Sequence, residues 1–268
     1  MQRLDLRTLR RPTEFYFVRH GESEGNRAGK ILGRMDLGLS GLGRDHARAA
    51  GRFFAEEISS EVDAYVTTSP LTRCRETAAL IADGAGLPAP APRDELVELD
   101  AGVFAGKGLG ELAREMPESF GRFRVHSWEV VDGAERIASL YGRAVAAWNH
   151  LIDQANGGAD VVIAVTHAGF MQWILKATFA GPEQAWMPVI KASNCGIFHC
   201  HVEPTSYTDG ASAGGASPHA GAPSSPAEMP NAPGDPTPGT DAPDRGEPAP
   251  AIADGFFAEW RRIDYVPY

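Results

Sequence analysis

The chain has 268 residues, with 35 acidic against 25 basic side chains and a formal net charge of −10, a balance that disfavours general binding to nucleic acid or anionic membranes. The length permits one large α/β domain with a sizeable core, and no run of 18 apolar residues exists, so no transmembrane helix is expected. Only three cysteines, and a start (Met1 to Arg11) without a continuous apolar stretch, point to the cytoplasm. Asp5 is the sole acid before Glu14, which keeps organelle targeting as an alternative.

After an N-terminal extension, residues 1–13, the run Phe15-Tyr16-Phe17-Val18 reads as a buried strand. Arg19-His20-Gly21 follows at its carboxyl end, where ligands bind in open α/β sheets. Arginine grips phosphate oxygens in a bidentate fork, and glycine removes the Cβ that would block approach. Ser40 to Ile58 is predicted helical, with Leu42, Ala49, Ala50 and Phe53 facing inward. A short strand, Ala64-Tyr65-Val66, leads to Ser69-Pro70, read as a helix cap and first helical residue. Arg73 then falls in the first helical turn, where the helix dipole and the guanidinium both favour an anion. Arg75 is read as solvated.

Asp94, Glu95, Glu98 and Asp100 crowd the next loop, and the residues alone do not choose a proton donor among them. The segment from Phe104 to Trp128 reads as a lid rich in aromatic and charged residues, among them Phe120, Phe123, His126 and Trp128. Ala134 to Ile152 is the clearest helix. Ile137, Leu140, Tyr141, Ala144, Trp148, Leu151 and Ile152 keep its apolar face. Val161 to Val165 is a strand buried on both sides, His167 stands at its end, and Ala168 to Phe179 is a further helix. Alternation along Cys195 to Val202 suggests a strand with cysteine as a small hydrophobe. Cys74, Cys195 and Cys200 lack zinc-type spacing, so no metal is implied, and no nucleotide phosphate loop is present. Residues 203–254 hold more than half of the chain's 20 prolines and only Tyr207, Met229 and Ile252 as apolar bulk. Such a segment cannot offset its ordering entropy and is expected to be disordered. Residues 255–268 return to a strand-like pattern.

Two histidines and two arginines thus fall at equivalent strand and helix ends. Neutral imidazole is a competent nucleophile. His20 would attack phosphorus, while Arg19, Arg73 and a protonated His167 neutralise the phosphoryl oxygens, the main requirement of phosphoryl transfer. Asn26 adds a neutral donor.

These motifs resemble the histidine phosphatase superfamily, which includes the cofactor-dependent phosphoglycerate mutases. The resemblance runs from about Glu14 to Ile197 and resumes in the last residues. It rests on Arg19-His20-Gly21-Glu22-Ser23-x-x-Asn26, on Ser69-Pro70-Leu71-x-Arg73-x-x-x-Thr77-Ala78, and on the segments Gly33 to Gly43 and Leu96 to Gly106. It places the proton donor on Glu98 and implies substrate contacts from Gly21, Ser23, Asn26, Arg34 and Ala168. It further implies a three-layer α/β sandwich with a mostly parallel sheet, helices on both faces, a small cap and an antiparallel C-terminal edge hairpin. In that frame residues 14–202 are the catalytic domain, with the cap at about 104–130 and its Phe120, Phe123, His126 and Trp128 as specificity candidates. Residues 203–254 become an enlarged hairpin loop, and 255–268 supply the last strand. Phe104-Ala105 replaces the usual Trp-Glu, Gln172 stands where Arg is frequent, and Gly133-Ala134-Glu135-Arg136 replaces Gly-Gly-Glu-Ser. The expected activity is cofactor-free and metal-independent hydrolysis of a small phosphorylated metabolite through phosphohistidine. The alternatives are a phosphoglycerate mutase-type transfer or a non-catalytic phosphate-binding regulator.

Overall fold

The computed structural model describes residues 3–179, 190–204 and 256–267. In chain order the regular elements are β1 (Thr13–Arg19), α1 (Glu24–Arg27), α2 (Gly41–Glu57), β2 (Ala64–Thr68), α3 (Thr72–Ala85) and β3 (Ala91–Pro92). There follow α4 (Leu109–Glu115), α5 (Pro117–His126), α6 (Ile137–Asn156), β4 (Val161–Thr166), α7 (Ala168–Phe179), β5 (Ile197–Pro204) and β6 (Phe256–Tyr265).

The strands form one sheet in the order β3-β2-β4-β1-β5-β6. β3, β2, β4 and β1 run parallel, and β5 and β6 are antiparallel additions. Strand alternation divides the apolar side chains between two layers. Phe15, Phe17, Val162, Ala164 and Phe198 pack with α6 and α7. Tyr16, Val18, Val66, Ile163 and Val165 pack with α2 and α3. β4, with every residue buried, lies between parallel neighbours on both sides. The α/β sandwich with its C-terminal antiparallel pair is as expected.

Local readings shift where distant groups intervene. In α2 the inward face is Ala47, Ala50 and Phe54, all fully buried, whereas Leu42 is 52 % exposed. The seam with α3 is set by small residues: a Cβ on Gly51 would stand 3.3 Å from the Cα of Gly84. The α3 helix starts at Thr72, with no side-chain cap from Ser69. Its cap comes from across the loop, because Asp36 accepts from Thr72 N at 2.7 Å and from Thr72 Oγ1 at 2.9 Å. The α6 helix begins at Ile137, whose amide donates to the Glu129 carboxylate at 3.0 Å.

The cap has its own small core of Phe104, Leu112 and Val131, with Phe120, Phe123 and Trp128 packed on it. Cys200 is buried in the main core. His199 Nε2 and His201 Nδ1 both bond Glu14, at 2.6 Å and 2.9 Å, and Arg261 reaches the same carboxylate at 3.0 Å. This cluster ties β1 to β5 and β6.

The disorder expected for 203–254 falls on residues outside the described ones, except Glu203 and Pro204. These two belong to β5 and pair with Phe257 and Phe256. β6 also differs from a simple alternating strand. Its register against β5 shifts twice, and Asp264 adopts a φ of 54°, so Ile263 is turned outward and is 50 % exposed. Trp260 carries the inward packing. It meets Phe17 and Trp148, and its indole N–H donates to Thr178 Oγ1 at 3.1 Å. Deleting residues 256–268 is therefore expected to lower the thermal midpoint by several degrees. Losing the Trp260 contacts alone costs on the order of 1–3 kcal/mol, and β5 becomes an unpaired edge prone to aggregation. An unchanged midpoint in a melting experiment would show that β6 is dispensable.

Candidate active site

Three strand ends converge. β1 and β4 are adjacent and in register with Arg19 opposite Thr166, so the next residues, His20 and His167, emerge together. The His20 amide donates to the Thr166 carbonyl and the Ser69 amide to the Val165 carbonyl, both at 2.9 Å. The two imidazoles meet edge to face with ring centres 5.1 Å apart.

His20 Nδ1 lies 2.7 Å from the Gly21 carbonyl oxygen. A carbonyl only accepts, so Nδ1 carries the hydrogen and Nε2 keeps its lone pair. Arg73 Nε donates to that Nε2 at 3.3 Å. Burial, with the Arg19 and Arg73 charges, holds the His20 pKa well below its ordinary value of 6.5. The ring is thus neutral and aimed.

Arg73 is 1 % exposed. Its Nη1 donates to the Met35 carbonyl at 2.7 Å and its Nη2 to the Gly33 carbonyl at 2.9 Å, which fixes the guanidinium plane. Arg19 is held by the Ala192 carbonyl, 2.5 Å from Nη1. His167 is fully buried, with Nε2 2.8 Å from Ser69 Oγ and the Cys74 sulfur 3.4 Å away. Ser69, expected to cap a helix, instead orients this histidine. Burial, reinforced by His20, Arg73 and Arg19, depresses the His167 pKa, which favours the neutral ring. The protonated form expected from sequence requires the charge of a bound anion.

Glu98 sits on the N-terminus of α7. Its Oε1 accepts from Leu99 N at 2.8 Å and Phe170 N at 2.7 Å, and its Oε2 from Gly169 N at 3.1 Å. A Cβ on Gly169 would lie 2.7 Å from Oε1, so this seat requires glycine. Burial pushes the carboxyl above its ordinary range, against the opposing pull of these amides and Arg73. A carboxyl whose pKa is raised, at the cleft wall, is what a proton donor needs.

The remaining expected contacts divide. Asn26 and Ala168 line the cleft. The Asn26 Oδ1 is taken by Ser23, leaving Nδ2 as its donor. Ser23 is fully buried and caps α1, so its role is structural. Gly21 is needed for α2: a Cβ there would stand 2.4 Å from the Gly43 carbonyl oxygen, and its amide donates to Thr77 Oγ1. Arg34 is paired with Glu135 at 3.0 Å and lies outside the cleft lining. Of the lid candidates Trp128 reaches the cleft; Phe120 and Phe123 pack within the cap, and His126 is exposed.

The cleft is about 180 Å³, and Lys30, Ile31, Leu32 and Leu99 complete its wall. That is small beside the roughly 300–1,000 Å³ of sites for drug-sized ligands. A larger groove of about 510 Å³ runs beside β3, lined by Thr68, Thr72, Arg75, Glu76 and Pro92, with no histidine in its wall.

The family model for the histidine phosphatase superfamily (branch 1) matches residues 15–208. The chain belongs to that superfamily. Among histidine phosphatase relatives, phosphoserine phosphatase 1 of Hydrogenobacter thermophilus is 35 % identical over 47 % of this chain and 58 % of its own length. The metal-independent phosphoserine phosphatase of Arabidopsis thaliana is 30 % identical over 63 % of this chain and 70 % of its own. The structure of a mycobacterial glucosyl-3-phosphoglycerate phosphatase shares the fold with a TM-score of 0.60 at 20 % identity, over 71 % of this chain and 91 % of that one. The family and the two curated phosphatase relatives support a phosphoric monoester hydrolase.

Burying two neutral histidines has a stability consequence. The unfolded chain protonates both near their ordinary value of 6.5, while the folded chain does not. The contribution of these two groups is therefore fully present above pH 6.5 and is lost as pH falls below it, while the raised Glu98 carboxyl contributes in the opposite sense. Denaturant midpoints at about pH 7.5 and pH 5.5 test this. Saturating phosphate should flatten the slope, and equal midpoints without phosphate would mean that the histidines are not buried neutral.

Proposed function

We propose that the protein hydrolyses a small phosphomonoester through a phosphohistidine on His20, without a metal. The observation that carries this is the neutral His20, whose Nε2 keeps its lone pair and faces Arg73, with Glu98 on the same cleft wall and its carboxyl raised by burial. Nε2 attacks phosphorus, and the bond from phosphorus to the leaving oxygen breaks. The Glu98 proton passes to that oxygen. Arg19 and Arg73 balance the phosphoryl charge, and His167 takes up a proton as that charge arrives, donating to an oxygen. Water then attacks the phosphohistidine, Glu98 accepts its proton, the P–N bond breaks, and inorganic phosphate leaves. Nucleophile, countercharge and proton donor all come from side chains in this scheme.

Glu98→Gln keeps the shape and removes the transferable proton; its amide oxygen can accept from Leu99 and Phe170, while its NH2 gives up the bond from Gly169. It is expected to slow alkyl phosphates by about 100- to 1,000-fold and p-nitrophenyl phosphate, whose leaving group needs no proton, by less than about 10-fold. Equal slowing of both would make Glu98 structural. Measuring free phosphate separates hydrolysis from a mutase-type transfer, since a mutase moves the group between positions of a phosphoglycerate with little release. Binding of phosphate without turnover would indicate a regulator.

A further inference from the structure

The loop that carries Glu98 is not part of a helix or strand long enough to hold it, yet proton transfer demands a placement good to a fraction of an ångström. Two arginines claim its carbonyls. Arg143, on α6, donates from Nη1 to the carbonyls of Glu95 at 3.0 Å and Val97 at 2.5 Å. Arg34 donates from Nε to the carbonyl of Glu98 itself at 3.3 Å. Both guanidiniums then converge on one carboxylate. Glu135 accepts from Arg143 Nε at 3.1 Å and Nη2 at 2.7 Å, and from Arg34 Nη2 at 3.0 Å. The Glu135 side chain is only 7 % exposed. The Arg143 guanidinium carbon also lies over the Phe170 ring, 4.0 Å from its centre, and the Phe170 amide is one of the donors that hold the Glu98 carboxylate.

We infer that Arg34, Glu135 and Arg143 form a positioning triad that fixes Glu98 for proton transfer. None of the three lines the cleft, and their hydrogen bonds run to the Glu98 loop and to one another. A largely buried ion pair such as Arg143–Glu135 adds little net stability over an apolar replacement, and its use is to define geometry. Arg143 grips the loop before Glu98 and braces the helix start after it, Arg34 grips Glu98 itself, and Glu135 locks the two together. Burial pushes the Glu135 carboxyl upward, but the Arg143 hydrogen bonds and charge outweigh this and keep it ionised.

The inference rests on the proton-donor role proposed for Glu98, and leaving-group dependence distinguishes the two. Wild type, Glu98→Gln, Glu135→Gln, Arg143→Lys and Arg34→Ala are assayed on p-nitrophenyl phosphate and on phenyl phosphate, a poorer leaving group. Glu135→Gln and Arg143→Lys should lose about 10- to 100-fold in kcat on phenyl phosphate, under about 3-fold on p-nitrophenyl phosphate, with KM nearly constant. Arg34→Ala, at a half-exposed position that tolerates change, should show the same pattern at about 3- to 10-fold and covers the case that the buried variants do not fold. Equal loss on both substrates, or none, overturns the triad provided Glu98→Gln is selective. If Glu98→Gln is itself unselective, the proton-donor role falls and the triad falls with it.

Discussion

His20→Ala is expected to lower kcat/KM for p-nitrophenyl phosphate by at least about 10,000-fold, the scale seen when a covalent nucleophile is removed. The protein should stay folded. The lost ring contacts are one bond to the Gly21 carbonyl and one from Arg73, and a desolvated imidazole between two arginines is no aid to folding. Steady-state assay beside a thermal melt checks both halves. Turnover retained by a folded His20→Ala protein would take His20 out of the mechanism.

The second large effect is expected at Arg73. Lysine keeps the charge but cannot donate in a plane to His20, Met35 and Gly33 at once, as Arg73 does. Arg73→Lys should lower kcat by about 100- to 10,000-fold, the range for losing an oriented donor or arginine at a phosphoryl group. Vanadate should bind more weakly in parallel. Arg73→Ala should also destabilise, because the Met35 and Gly33 carbonyls lose their partner at roughly 1–3 kcal/mol each if left buried and unpaired. A kcat within threefold of wild type in Arg73→Lys would mean that charge alone suffices.

Much of this arrangement was legible in sequence, for a physical reason. Apolar runs mark β1 and β4, and side chains that follow a parallel strand emerge on the ligand side, so His20 and His167 could be placed from local pattern. The α7 boundaries followed from the same kind of signal. What escaped was set by partners far along the chain. Ser69 carries a cap signature, yet its hydroxyl meets His167 because β2 lies beside β4. The α3 cap arrives from Asp36, invisible to any window around Thr72. Arg34 occupied a motif position that suggested substrate, but Glu135, a hundred residues on, claims it. Gly21 by its type suits close ligand approach, whereas the group that comes close to it is the Gly43 carbonyl. Glu98 could be chosen among four acids only through resemblance. The signal that could have found it is Gly169 directly after His167-Ala168, since that glycine leaves room for the carboxylate on the α7 amides.

The most direct test of the central claim is a rapid acid and alkali quench of wild type during turnover of phosphorus-labelled p-nitrophenyl phosphate. The predicted result is one labelled phosphoryl group per chain, lost in acid, stable in alkali, and absent from His20→Ala. Label that survives acid, or that persists in His20→Ala, would contradict a phosphohistidine on His20.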